Sequence, residues 1–130
     1  MKLLLALSSL LLAGSISQAA IGPMETKEMV INVSDALVPT EASANSNVKA
    51  VISGMFPNGC YAYNRAEVDN SAKDGIVRVK AVADVSQGMC IMALIPFTKE
   101  VMLGHFTPGQ YTIRFINGDD TYQDRSLTIQ

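Results

Sequence analysis

The chain predicts an all-β fold, an antiparallel sandwich of about seven short strands, on three observations. Strand-like runs are separated by turn residues at intervals near ten residues. Residues 76–85 carry the clearest period-two alternation of the chain. No segment after residue 20 carries the three-to-four-residue apolar period of an amphipathic helix. A small closed barrel is the alternative architecture.

The elements follow in order. Glu28 to Val33 (EMVINV) is short and β-branched, and reads as a strand. Pro39 to Asn47 (PTEASANSN) is small and polar, a loop by composition. Val48 to Phe56 places Val48, Ala50, Ile52, Gly54 and Phe56 on one face, and Pro57-Asn58-Gly59 then turns the chain. Cys60 to Val68 assigns Cys60, Ala62, Asn64, Ala66 and Val68 to one face, and Tyr61, Tyr63, Arg65 and Glu67 to the other. From Ile76 to Val85, Val77, Val79, Ala81, Ala83 and Val85 oppose Arg78, Lys80 and Asp84, the pattern of a half-buried antiparallel strand.

Cys90 to Ile95 is a nearly continuous apolar run closed by Pro96, and Glu100 to Leu103 makes a short strand. Pro108-Gly109 turns the chain into Gln110 to Ile116, where Tyr111, Ile113 and Phe115 alternate with Thr112, Arg114 and Ile116. Asn117-Gly118-Asp119-Asp120 signals a hairpin, and Leu127 to Ile129 closes the chain on a strand.

The first twenty residues stand apart from this pattern. Lys2, the apolar run Leu3 to Ala13, and the small residues after it have the layout of a secretory signal peptide, cut after Ala19 or Ala20. The run is shorter than the roughly 20 apolar residues a membrane span needs. No Cys follows it to carry a lipid anchor. Residues 21–130 then form a single β-sandwich domain, released into the periplasm or the medium, with no span of its own. Ten Lys and Arg stand against twelve Asp and Glu, and no basic cluster interrupts the chain. That balance argues against nucleic acid as a partner.

The last third resembles a known architecture. In VMLGHFTPGQYTIRFING, Leu103-Gly104, Pro108-Gly109 and then Tyr111, Ile113 and Phe115 resemble a hairpin of small exported bacterial immunoglobulin-like and fibronectin type III-like sandwich proteins. Cys90 followed by Pro96-Phe97 belongs to the same resemblance. It implies an immunoglobulin-like antiparallel sandwich and no particular activity. The chain departs from antibody-type domains in having no Trp at all.

Four groups of residues could carry chemistry. Cys60 and Cys90 are the only cysteines; in an exported chain they are expected to form one disulfide. A catalytic thiol would need a base, and His105 is the only histidine. A zinc site would need further ligands at short spacings.

The methionines left after export are Met24, Met29, Met55, Met89, Met92 and Met102. They are expected to fill gaps in a core poor in large aromatics or to lie partly exposed. Met102 and His105 leave one alternative open, a copper-handling protein of the periplasm with thioether and imidazole ligands.

Asp119, Asp120 and Asp124 are explained by turn preference more cheaply than by carboxylate catalysis or calcium. Asn32-Val33-Ser34 fits a glycosylation acceptor, relevant only in a eukaryotic host. Tyr61, Tyr63 and Arg65, if displayed together, form the candidate binding face, since those residue types are favoured at recognition hot spots. The expected function is therefore a non-enzymatic binding or structural module. It needs no cofactor, and its partner is another protein or an envelope component.

Overall fold

The structure, a computed structural model, describes residues 13–15 and 25–130. The predicted leader, apart from residues 13–15, and Met24 lie outside the described residues. Nine strands follow one another: β1 (Thr26–Ile31), β2 (Asp35–Leu37), β3 (Glu41–Ala42), β4 (Val48–Phe56), β5 (Tyr61–Asp69), β6 (Ile76–Ser86), β7 (Ile95–Gly104), β8 (Gly109–Ile116) and β9 (Tyr122–Ile129). The described residues contain no helix. A six-stranded sheet holds β1, β3, β5, β6, β8 and β9, and a three-stranded sheet runs β2-β4-β7.

Two features depart from an antiparallel sandwich of about seven strands. The short strands β2 and β3 raise the count to nine, with β3 lying inside the stretch read as a loop. The larger sheet is also mixed, because β6 pairs β8 in parallel and β3 pairs β9 in parallel. Parallel pairing needs a crossover between its strands. Here β7, which belongs to the other sheet, provides it between β6 and β8.

The register shows how this is achieved. Antiparallel to β6, β5 covers one of its edges from Arg78 to Val85. The other edge is divided: β8 takes Ile76–Val79 and β1 takes Ala81–Ser86. The C-terminal ends of β1 and β8 therefore meet head to head beside Lys80. Both leave side by side, and two asparagines stitch the junction. Val33 N–H donates to Asn117 Oδ1 at 2.9 Å, and Gly118 N–H donates to Asn32 Oδ1 at 3.0 Å. A Cβ on Gly118 would collide with the Val30 carbonyl, so only glycine fits there.

From this junction the chain crosses to the smaller sheet. Gln123 Nε2 donates to the carbonyls of Val33 and Ser34, and Arg125 Nε donates to that of Ala36 at 3.0 Å. The polar inner end of β9 thus satisfies backbone groups that neither sheet reaches.

The core forms between the inward faces. Ala50, Ile52 and Phe56 of β4 and Phe97, Val101 and Leu103 of β7 meet Val77, Val79, Ala81 and Ala83 of β6. Ile113 and Phe115 of β8 and Leu127 and Ile129 of β9 complete it. Among the described residues no polar or charged side chain is buried. Gly54 shares the inward face of β4, where an added Cβ would lie 2.8 Å from the Phe97 ring. Pro96 does not close a strand but lies within β7, where it is tolerated because β7 pairs only with β4.

Gly118→Ala should lower stability by about 1–3 kcal/mol, the usual range for overpacking a closed site. Urea denaturation measures it, and an unchanged midpoint would mean that the junction has slack.

Candidate functional site

The turn Pro57–Gly59 and the loop between β6 and β7 build one end of the molecule together. Asn58 accepts a hydrogen bond from Cys60 N–H at 2.9 Å through Oδ1, which shapes the turn and buries the Cys60 side chain. A disulfide joins Cys60 to Cys90, with Cα atoms 5.1 Å apart. Backbone bonds reinforce it. Gly59 N–H donates to Ile91 O at 2.8 Å, Ser86 N–H to Cys60 O at 2.9 Å, and Gln87 N–H to Glu25 O at 3.1 Å.

Residues 90–94 of the apolar run form a loop whose side chains mostly face water, and Ile95 opens β7. Met89 is 101%, Ile91 76%, Met92 85% and Leu94 67% exposed. No Asp, Glu, Lys, Arg or His occurs from Val85 through Thr98.

The apolar surface continues past the turn. Ile95 pairs with Phe56 and Pro96 with Met55 in the β4–β7 ladder. Met29, Met55, Phe56, Pro57 and Tyr61 line a shallow cleft of about 300 Å³ beside it. Every methionine among the described residues is exposed: Met29, Met55, Met89, Met92 and Met102. None fills the core, which closes on Phe, Ile, Leu, Val and Ala. Exposed apolar patches of this kind mark interaction sites in soluble proteins, and flexible methionines adapt to varied partners.

The tyrosines sit differently from their predicted face. A bulge between Tyr63 and Arg65 shifts the β5–β6 register by one residue. Before it, Tyr61 and Tyr63 point inward opposite Val85 and Ala83; after it, Ala66 and Val68 do so, opposite Ala81 and Val79. Tyr61 stacks on Phe56 at 5.7 Å, and Phe56 on Phe97 at 4.5 Å. Tyr63 is half-buried, with the Lys99 ammonium 5.4 Å from its ring centroid, and burial pushes its phenol above the ordinary value.

Arg65 projects from the opposite face. It donates to both carboxylate oxygens of Glu28, at 2.9 and 3.0 Å, and to Glu67 at 2.8 Å. Tyr61, Tyr63 and Arg65 thus form no common surface, because one extra residue inverts every side chain beyond it.

The remaining candidates are dispersed. His105 Nδ1 donates to Asn45 O at 3.0 Å, and Met102 is an outward residue of β7 opposite Lys49. Among the described residues no group of three or more His, Cys, Asp or Glu side chains converges. Asp119 accepts from the backbone and hydroxyl of Thr121, which holds its carboxyl below the usual range. Asp124 pairs with Arg114, whose guanidinium also covers the Tyr122 ring at 4.1 Å.

Residues 50–128 match the family described as the ORF11 beta-sandwich domain. The chain belongs to that family. The matched span of the ORF11 beta-sandwich domain runs through β4 to β9 and contains both cysteines and the apolar loop. Strands β1 to β3 precede it. No curated protein and no solved structure matches the chain.

Two predictions follow from this geometry. Replacing both cysteines with serine should cost about 3–4 kcal/mol in denaturant, the loop-closure contribution of a bridge spanning 30 residues; an equally stable variant would show that the backbone bonds alone hold the loop. The bonds from Arg65 hold the Glu28 carboxyl below its ordinary 4.5. Because the folded value lies under the unfolded one, this pairing stabilises above pH 4.5 and is lost as pH falls through the folded value. Carboxyl titration by NMR should place the Glu28 midpoint below 4.5, and Arg65→Gln should bring it back.

Proposed function

We propose that this protein is an exported, non-enzymatic binding module of the cell envelope or the extracellular space, and that its recognition surface is the disulfide-pinned loop with the cleft beside it. One observation carries this reading: the side chains of Met89, Ile91, Met92 and Leu94 stand in water on a backbone held in place by a covalent bridge. Fully burying an apolar side chain of this size is worth about 1.5–3 kcal/mol. A loop that leaves several exposed yet rigid is preorganised for contact, since its ordering cost is met before a partner arrives.

Export is supported by the leader-like pattern of residues 1–20 and by a bridge suited to an oxidising compartment. The kinship with immunoglobulin-like bacterial modules belongs to the same proposal. It rests on the two-sheet sandwich and on the Pro108-Gly109 corner between β7 and β8. Those two strands lie in different sheets and form no hairpin, and β6 parallel to β8 is a further point of difference. The absence of catalysis is part of the reading too, supported by the engagement of Asp119 and Asp124 in a turn and an ion pair.

The test compares the wild-type chain with Met92→Asp/Leu94→Asp in recovery from envelope extract. The double variant should melt at the same temperature, because neither side chain is buried, yet retain far less envelope material, protein or lipid. Equal recovery by both chains would remove the loop from the recognition surface.

A further inference from the structure

We infer that the surface this loop engages is a lipid bilayer, into whose interfacial layer its tip inserts; the inference rests on the binding reading above and narrows it to one partner.

The shape of the tip favours lipid over a folded protein. Met89 and Met92 are almost untouched by the rest of the chain, and Ile91 and Leu94 are mostly free. The apolar side chains thus surround a projecting tip and do not line one wall of a groove. A folded partner would need a concavity of matching shape to bury all of them. Acyl chains close around a projection of any shape, and burying its area drives insertion.

Charge gives a second, independent argument. A charged side chain is costly inside the hydrocarbon, and none occurs from Val85 through Thr98. Charges begin only at the base, where Lys27 and Lys99 are balanced by Glu25 and Asp84. Lys27 lies on β1 opposite Val85, and Asp84 lies opposite Ala62. The base can therefore sit at headgroup level without a strong preference for lipid charge.

Backbone groups limit the depth of insertion. The Ile91 carbonyl is doubly satisfied, by Gly59 N–H at 2.8 Å and Ala93 N–H at 3.0 Å. The backbone groups of Met89 and Met92 have no partner among the described residues, so the tip stays at the interfacial level where water still reaches them. The bridge from Cys90 to the buried Cys60 keeps the tip from folding back onto the domain. Insertion of so small a tip gives weak, reversible binding, on the order of that from a single acyl chain.

The chain contains no Trp, so Met92→Trp places a single reporter at the tip. All variants carry the same N-terminus, so differences among them report the loop alone. With phosphatidylcholine vesicles the Trp emission should shift to the blue and be quenched by brominated acyl chains. Adding phosphatidylglycerol or raising the salt should change binding little, because the contact is apolar. Met92→Asp/Leu94→Asp should weaken vesicle partitioning about tenfold or more.

An unshifted Trp with both vesicle compositions would overturn the inference. So would partitioning that survives the double substitution, which would place the contact elsewhere. A concentration-dependent dimer without lipid, abolished by the same substitutions, would also overturn it and assign the tip to a second copy of the chain. If vesicles fail while recovery of envelope protein still depends on the loop, the binding reading stands and the bilayer is excluded. If both fail, both readings fall.

Discussion

Strand β6 has two edges and three neighbours, and the rest of the architecture answers to that constraint. β5 occupies one edge, so β1 and β8 must share the other and meet end to end beside Lys80. Two strand ends that stop against each other leave backbone donors without ladder partners, and unpaired groups of this kind are costly when shielded from water. The carboxamides of Asn32 and Asn117 take up two of those donors, while Gly118 gives the Val30 carbonyl room. From there β1 can leave the larger sheet and reach β2 in the smaller one, held by Gln123 and Arg125. Without the divided edge there would be no crossing segment to close this side of the sandwich.

The same strand delivers the candidate site. β6 runs on to Ser86, beyond its pairing with β8, and so carries the chain to the end where the Pro57–Gly59 turn lies. A short connection to β7 would then have sufficed. The protein instead spends residues 87–94 on a projecting loop, ties it to the domain by a bridge and two backbone bonds, and turns its apolar side chains outward. Surface of that kind lowers solubility and contributes nothing to the core. Under the binding proposal this loop, tied by its bridge, uncharged and exposed, is the contact surface.

Strands with one clean period were legible. Alternation over β4, β6 and β8 placed Ala50, Ile52, Val77, Val79, Ile113 and Phe115 inward, and all six are buried. The pairing of Cys60 with Cys90 was legible as well, because the chain offers each cysteine no other thiol. The bulge in β5 was not. Its extra residue is an ordinary asparagine, and only the β6 partner register shows that alternation inverts after Tyr63. Nor could the apolar run at 90–95 be told from a buried strand. The signals available were the lack of period two, Gly88 before it and Pro96 after it. They mark a break in pattern and do not say which way side chains face.

By itself the sequence determined an all-β fold, where most strands lie, which residues of β4, β6 and β8 face the core and how the cysteines pair. These depend on local periodicity and composition, and both can be read along a single line. Tertiary structure alone decided the parallel pairing of β6 with β8, the division of one edge between β1 and β8, and the fate of the methionines. Those depend on which strands compete for the same hydrogen-bonding edge and on which apolar side chains the closed core has no room to accept. The five exposed methionines are apolar side chains too. What separates them is position, on outward strand faces or on the loop, outside a core that Phe, Ile, Leu, Val and Ala already fill.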